Sequence, residues 1–205
     1  MFPAMRDIIP EGVSGDYSIQ HFSISEEQAK LQSIRATYNR NYLGRFIKAG
    51  EFCRLKYNSQ VLMSDTHAER YTNREIVEKA YGDVLIAGLG LGMILCPILK
   101  KEEVTNVTVV EISEEVITLV EPHIRDHLGE AGSKLSIVKA DIFDYTPTRK
   151  YDVIYFDILG DYSGDEYPDT KKLHKRYLKY IRKGSHRFMD TWMRWDIKDR
   201  YFENR

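Results

Sequence analysis

The sequence predicts an α/β protein with a mostly parallel sheet and helices on both of its faces. Apolar runs of strand length recur at five places, amphipathic stretches separate them, and a glycine turn follows the first run. The runs are 83–87, 107–111, 135–139, 152–156 and 187–192. Strands that alternate with helices in this way form parallel sheets covered on both faces. The chain ends soon after the last run, so we expect a C-terminally shortened form of this architecture.

Residues 1–80 are predicted as an N-terminal arm that carries a helix and a β-hairpin. Residues 1–24 lack periodicity and hold two prolines and two glycines, which predicts irregular structure. Ser25 and Gln28 form a capping box that opens a helix reaching Gly44. Apolar residues at three- and four-residue spacing make this helix amphipathic; they are Leu31, Ile34, Tyr38 and Tyr42.

The rest of the arm is predicted as a hairpin followed by a helix. Two β-like runs, 52–57 and 60–63, flank a turn-forming Asn-Ser pair. Thr72 and Glu75 form a second capping box, which predicts that a helix begins there and ends at Gly82.

Residues 81–205 are predicted as a single cofactor-binding domain. Helices are expected over 93–100, over 113–128 with a serine cap, and over 169–184 with an aspartate cap. Pro97 lies beyond the first turn of the first of these helices, so we expect it to bend that helix.

Composition narrows the functional classes. Hydrophobic residues at 42% and charged residues at 30% are typical of a globular protein. Two cysteines, Cys53 and Cys96, are too few for a disulfide framework or a cysteine-based zinc site. His123 and His127 stand four apart without a third ligand of obvious spacing, so no metal site is predicted.

The N-terminus does not resemble a signal peptide, and the longest uncharged stretch is too short for a membrane span. We therefore expect a cytoplasmic protein.

The overall charge is nearly balanced, but it is unevenly distributed. The formal net charge of −1 argues against a dedicated nucleic-acid binder. Residues 171–205 nevertheless carry a net charge of +8, and residues 1–170 carry −9. A solvated helix face accounts best for the basic segment, with contact to phosphate or RNA as the alternative.

A glycine turn follows the first predicted strand of the domain. Gly88, Gly90 and Gly92 let the backbone turn sharply and bring amide groups close to a ligand. The dinucleotide-binding fingerprint requires glycine at position 93, where this chain has Met93. The G-x-G-x-G pattern therefore favours a nucleoside ligand without a pyrophosphate.

Carboxylates end the next three strands. Glu111 closes the second strand, where a carboxylate can accept hydrogen bonds from both ribose hydroxyls. Asp141 follows the third strand, where it can accept from the amine of an adenine, and Asp157 follows the fourth. Ligands of open α/β sheets bind at this carboxyl edge, so the turn and the carboxylates predict one site.

At these residues the chain resembles a known family. The segments DVLIAGLGLG, VTVVEISEEVI, LSIVKADIFDY and YDVIYFDILGD look like the Rossmann-like core of class I S-adenosylmethionine-dependent methyltransferases, especially their spermidine-synthase-like branch. The resemblance covers residues 50–160 and implies S-adenosylmethionine, or its decarboxylated form, as cofactor. The cofactor-binding residues that we assign on this basis are Gly88, Leu89, Gly90, Gly92, Glu111, Ile112, Asp141, Ile142 and Asp157.

The chain also departs from that branch. Spermidine synthases usually read G-G-G-D-G-G at the glycine turn, whereas this chain reads GLGLG and lacks the aspartate. After the fourth strand they read D-S-x-D-P, whereas here Asp161 comes one place late and no proline follows it. These departures weigh against aminopropyl transfer.

The loop after the fourth strand is the predicted catalytic region. Asp157 is the candidate general base and Asp161 a second catalytic carboxylate. The carboxylates of this loop make the entrance to the predicted site acidic, which favours a cationic or amine substrate. Tyr71 and Tyr162 are the candidate substrate-binding residues, as aromatic rings beside a cation.

The leading functional hypothesis is an S-adenosylmethionine-dependent methyltransferase that acts on a small amine or cationic acceptor. The alternative is an aminopropyltransferase (polyamine synthase) that uses decarboxylated S-adenosylmethionine. A second alternative is a non-catalytic nucleoside-binding module. The expected partner is a small-molecule substrate. Neither a membrane nor a nucleic acid is expected as a partner, and the alternatives of a monomer and a homodimer are both left open.

Overall fold

The computed structural model describes residues 1–38, 47–158, 165–184 and 186–203. Within them lie nine strands and seven α-helices. The strands are β1 (Gly12–Ser14), β2 (Tyr17–Ile24), β3 (Gly50–Tyr57), β4 (Gln60–Ser64), β5 (Gly82–Ala87), β6 (Val104–Glu111), β7 (Leu135–Lys139), β8 (Val153–Phe156) and β9 (Phe188–Thr191). The helices are α1 (Glu26–Tyr38), α2 (His67–Thr72), α3 (Arg74–Lys79), α4 (Leu95–Leu99), α5 (Glu114–Leu128), α6 (Tyr167–Tyr177) and α7 (Arg194–Glu203).

The predicted α/β fold is confirmed. Five strands form a sheet in the order β7-β6-β5-β8-β9, and every neighbouring pair in it is parallel. Strands β5 and β8 lie at its centre, where Val84 pairs with Val153 and both side chains are fully buried. Two buried apolar clusters pack against this sheet, as its continuous apolar strands require. The carboxyl ends of β5, β6 and β8 therefore meet at one edge.

The N-terminal region is richer in strands than predicted. Residues 1–24 form β1, β2 and a short 3₁₀-helix, so the prediction of an irregular arm is wrong. Strand β2 pairs with β3 over eight residues, from Tyr17 opposite Tyr57 to Ile24 opposite Gly50. The predicted β3–β4 hairpin is confirmed, and β1-β2-β3-β4 form one antiparallel sheet.

Helix α1 begins at the predicted capping box. The Ser25 backbone N–H donates to Gln28 Oε1 at 2.8 Å, and the Gln28 N–H donates to Ser25 Oγ at 3.2 Å. Leu31 and Ile34 are nevertheless exposed, and the side chains that α1 buries are Ala29 and Ala36. The apolar face predicted from spacing is therefore wrong for these two residues. Residues 39–46, including Tyr42 and Gly44, lie outside the described residues.

Two other helix boundaries differ from the prediction. Thr72 ends α2 instead of capping a new helix, because its hydroxyl donates to the Glu69 carbonyl at 3.0 Å. Helix α4 begins only at Leu95, so Pro97 lies within its first turn. Backbone N–H groups there have no partner inside the helix, and the predicted bend does not arise.

At the C-terminal end, α6 begins at Tyr167 and ends at Tyr177. Asp169 therefore lies in its first turn instead of capping it, and the predicted extension to Gly184 is wrong. A further helix, α7, follows β9. Among the described residues, no helix combines the length and apolarity that crossing a bilayer requires.

Candidate functional site

A cavity of about 220 Å³ lies at the carboxyl edge of the parallel sheet. Gly88 and Gly90 line it from the glycine turn, and three carboxylate residues line it from β6, α2 and the end of β8. The other lining residues come from β2, β3, β4 and α5 and from the segments that follow β6, β8 and β9. The carboxylate residues are Glu69, Glu111 and Asp157. The cavity thus joins the predicted glycine turn to two of the three predicted strand-end carboxylates.

The glycine turn needs its glycines because other elements pack directly on it. Gly88 has a φ of +94° and Gly90 a φ of +50°, which L side chains rarely adopt. A Cβ atom at Gly88 would collide with the backbone carbonyl oxygen of Asp157, and one at Gly90 would collide with Met63 Sδ. The Leu91 N–H also donates to Met63 Sδ at 3.2 Å. The β3–β4 hairpin thus packs directly against the glycine turn at the cavity.

Glu111 ties the end of β6 to that turn. Its Oε2 accepts from the Leu89 N–H at 2.7 Å, and its Oε1 accepts from the Ser113 N–H at 2.9 Å. The residue is 8% exposed, and its open side faces the cavity. Each carboxylate oxygen can accept more than one hydrogen bond. Glu111 is therefore fixed in place while it retains acceptor capacity toward a ligand.

Asp157 and Glu69 are two further carboxyl groups that line the cavity, and Asp157 adjoins the turn at Gly88. Burial raises the pKa of Asp157 to about 7. Burial also raises the pKa of Glu69 to about 8; hydrogen bonds from the Ser64 N–H and hydroxyl oppose this rise, and the charge of Asp157 adds to it. Near neutral pH both groups can therefore exchange protons, as a general base must.

Other predicted residues lie near the cavity without lining it. Asp141 Oδ1 accepts from the Phe143 N–H at 2.8 Å, and Ile142 is buried in the second apolar cluster. Gly92 has a φ of +67° and packs against Ile124 of α5. Leu89 is buried beneath the turn, and its backbone N–H contacts Glu111.

The remaining predicted residues have different positions. Ile112 lines the cavity and is 62% exposed. Tyr71 lies on α2 outside the lining, with the Arg74 guanidinium 3.9 Å from its ring centroid. Asp161 and Tyr162 lie outside the described residues.

Sequence reasoning did not assign Glu69 or Met63 to the site. A glutamate in a short helix resembles a surface residue, and only the tertiary fold brings it to the same cavity as Asp157. The one indication in the sequence was the position of Glu69 five residues after the end of β4. At that distance the Ser64 N–H can donate a hydrogen bond to the Glu69 carboxylate. Among the described residues, no cluster of three or more potential metal ligands is present.

One family model matches more than half of the chain. It is that of the spermine/spermidine synthase domain, and it matches residues 74–183. This segment contains the glycine turn, Glu111 and Asp157. No curated protein sequence matches the chain.

Solved structures of methyltransferases show weaker similarity. A S-adenosylmethionine-dependent methyltransferase from Clostridium acetobutylicum is 22% identical, with a TM-score of 0.41 over 56% of this chain and 46% of that one. N-methyltransferase NodS from Bradyrhizobium japonicum is 16% identical, with a TM-score of 0.45 over 57% of this chain and 64% of that one. The glycopeptide N-methyltransferase MtfA is 18% identical, with a TM-score of 0.45 over 54% and 49%. The chain thus spans about half to two thirds of the length of these proteins.

Proposed function

Because the chain belongs to the spermine/spermidine synthase domain family, we propose that it is a transferase that moves an alkyl group from an S-adenosyl sulfonium donor to an amine. The cavity carries this proposal, because the glycine turn, Glu111 and the Glu69–Asp157 pair all line it. We assign the donor to the turn and Glu111, and a cationic amine to Glu69 and Asp157.

The residues at the turn fit the nucleoside part of such a donor. Glu111 is oriented by two backbone donors and keeps acceptor capacity toward the cavity, as hydrogen bonding to ribose hydroxyls requires. Gly88 and Gly90 leave space where side chains would otherwise fill the turn. We place the adenine toward Asp141 and Ile142, which follow the neighbouring strand β7.

The acidic pair fits an amine acceptor. An ammonium group between Glu69 and Asp157 would relieve the unfavourable burial of their charges. Nearby Trp192 also lines the cavity and is anchored by a hydrogen bond from its Nε1 to Thr72 Oγ1 at 3.0 Å. Its ring can contact a cation or the aliphatic part of the acceptor.

The charge of the cavity favours the decarboxylated donor. Among the described residues that line the cavity there are three carboxylates and no lysine or arginine. Residues 159–164 also contain neither lysine nor arginine. The carboxylate of intact S-adenosylmethionine would thus add a further negative charge without a cationic partner, which is unfavourable in a partly buried site.

The backbone of the turn offers little compensation for such a carboxylate. The Gly88 N–H donates to the Val110 carbonyl at 2.9 Å, the Leu89 N–H to Glu111, and the Leu91 N–H to Met63 Sδ. These amides are therefore already used within the protein. The sequence placed methyl transfer first, whereas the cavity and the family together favour transfer of an aminopropyl group.

In the proposed reaction the donor supplies its own leaving group, a neutral thioether. The acceptor nitrogen forms a bond to the transferred carbon while the carbon–sulfur bond breaks, and the nitrogen loses one proton. Asp157 accepts that proton, since its pKa of about 7 lets the carboxylate form be present at neutral pH. Glu69 and Glu111 hold acceptor and donor in line, and such alignment is worth on the order of 7–11 kcal/mol.

Methyl transfer from intact S-adenosylmethionine is the second candidate. The observation that favours it is the GLGLG turn, which lacks the aspartate usual in spermidine synthases. The two reactions differ in donor and in product, so one experiment separates them.

The test is incubation of the protein with either donor and a set of di- and polyamines, followed by chromatography of the nucleoside product. We expect methylthioadenosine from the decarboxylated donor, with Asp157→Asn as the matched inactive control. S-adenosylhomocysteine from the intact donor would instead support methyl transfer. Binding of either donor without turnover of any amine would favour the nucleoside-binding module and contradict the proposal.

A further inference from the structure

A second, larger cleft of about 570 Å³ lies between α6 and α7. It shares no lining residue with the cavity at the glycine turn. Its volume is in the range typical of small-molecule sites. The transferase chemistry proposed above makes no use of this cleft, which we call the basic cleft.

The basic cleft carries an uncompensated positive charge. Five cationic side chains line it, and no aspartate or glutamate does. They are Lys171, Lys172 and Lys175 of α6, and Arg194 and Lys198 of α7. Arg194 has an ion pair, with its Nε 2.7 Å from Asp190 Oδ1. Within the described part of the chain, the four lysines have no carboxylate within 4.0 Å.

Aromatic rings accompany these cations. Trp195 lines the cleft and is 57% exposed, which is unusual for so large an apolar side chain. The Arg194 Cζ lies 4.6 Å and the Lys198 Nζ 4.9 Å from its ring centroid. Tyr167 and Pro168 add apolar surface at the start of α6. The cleft therefore combines phosphate-binding groups with a partly exposed aromatic ring.

We propose that the basic cleft binds a nucleoside triphosphate, with the phosphates on the lysines and the base against Trp195. A discrete ligand fits better than a long nucleic acid, because the rest of the chain is acidic. Residues 1–170 carry a net charge of −9, which would repel a polyanion that extends beyond the cleft. The phosphates would also satisfy the four lysines that lack a carboxylate partner.

The test is calorimetric titration with guanosine triphosphate in the absence of magnesium. We choose a guanine nucleotide so that the measured binding does not arise from the adenosine pocket proposed at Glu111. We expect binding that weakens with added salt, weaker binding of tripolyphosphate, and no binding of guanosine. The double variant Lys171→Glu/Lys175→Glu should lose roughly ten-fold or more in affinity, since both side chains are exposed and the change reverses their charge.

Matched controls make the outcome decisive. Lys150→Glu makes the same charge change at an exposed lysine outside the cleft and should leave the affinity unchanged. The two sites share no lining residue, so this result does not depend on the transferase proposal. The inference is overturned if guanosine triphosphate gives no binding, if tripolyphosphate binds equally well, or if the double variant binds normally. Binding of a single-stranded RNA oligomer in place of the nucleotide would also overturn it.

Discussion

Glu111 connects the sheet, the glycine turn and the proposed donor site through a single carboxylate. It accepts hydrogen bonds from the backbone on both sides of the cavity edge, and these bonds fix the direction of its remaining lone pairs. A carboxylate held by two N–H donors needs no reorganisation when a ligand hydroxyl approaches. The residue therefore combines a structural and a binding role, and its variants must separate the two.

We expect Glu111→Gln to bind the donor roughly ten-fold or more weakly and to lose some stability, because an amide donor replaces one acceptor oxygen and leaves the Leu89 or the Ser113 N–H without its partner. Calorimetry with the donor measures this loss, and thermal unfolding checks the fold. Glu130→Ala, at an exposed glutamate, is the control. Unchanged affinity in Glu111→Gln would rule out the ribose assignment.

Asp157→Asn should retain donor binding and lose roughly 10²–10⁴-fold in turnover, the range typical of a removed general base. Steady-state rates at saturating donor provide the measurement. Wild-type turnover should rise as pH increases through about 7, where Asp157 loses its proton. Full activity of the variant would remove Asp157 from the mechanism.

The same substitution has a separate effect on stability. In the unfolded chain this carboxyl ionises near its ordinary pKa of 3.8, but in the folded protein only near 7. The folded state therefore holds more protons between these values, and the free energy of unfolding falls as pH rises through that window. Asp157→Asn removes this penalty.

We thus expect Asp157→Asn to be more stable than the wild type at pH 8, by on the order of 1–3 kcal/mol, and to lose most of this advantage at pH 4. Urea unfolding at the two pH values measures the difference. An advantage that did not change with pH would show that Asp157 is not buried as described.

At the scale of elements, the hairpin and the glycine turn act as one unit. Met63 of β4 lies against Gly90, and Leu91 donates to its sulfur. Residues 60–64 therefore shape the cavity although they belong to the other sheet. Changes in the turn should affect both the packing of the hairpin and donor binding.

Gly90→Ala tests this coupling. The new Cβ would collide with Met63 Sδ at a backbone φ of +50°, so we expect a loss of stability of about 1–2 kcal/mol and weaker donor binding. Gly184→Ala is the matched control, since a Cβ there meets no atom within 4 Å. Thermal unfolding and calorimetry compare the two, and equal behaviour would contradict the described contact.

The sequence predicts elements that local interactions form better than it predicts elements that depend on contacts between residues far apart in the chain. The parallel strands were predicted because each is a buried apolar run, and Ser113 caps α5 as expected, accepting from the Val116 N–H at 3.1 Å. Strand β2 was missed because its partner β3 lies 26 residues away even at their nearest ends, Ile24 and Gly50. Glu69 was missed for the same reason, since only tertiary contacts bury it.

At the scale of the whole molecule, the near-zero net charge conceals two opposed regions. The acidic cavity lies at the carboxyl edge of the sheet, and the basic cleft lies between the two C-terminal helices. The first region favours cations and the second favours anions. We therefore expect added salt to weaken the binding of an amine acceptor and of a nucleotide alike, although the two ligands carry opposite charges.

The central claim is that the cavity binds a donor without a carboxylate. Calorimetric titration with decarboxylated and intact S-adenosylmethionine tests it most directly. We predict roughly ten-fold or tighter binding of the decarboxylated form, because the described lining offers three carboxylates and no lysine or arginine. Equal or tighter binding of intact S-adenosylmethionine would contradict the account.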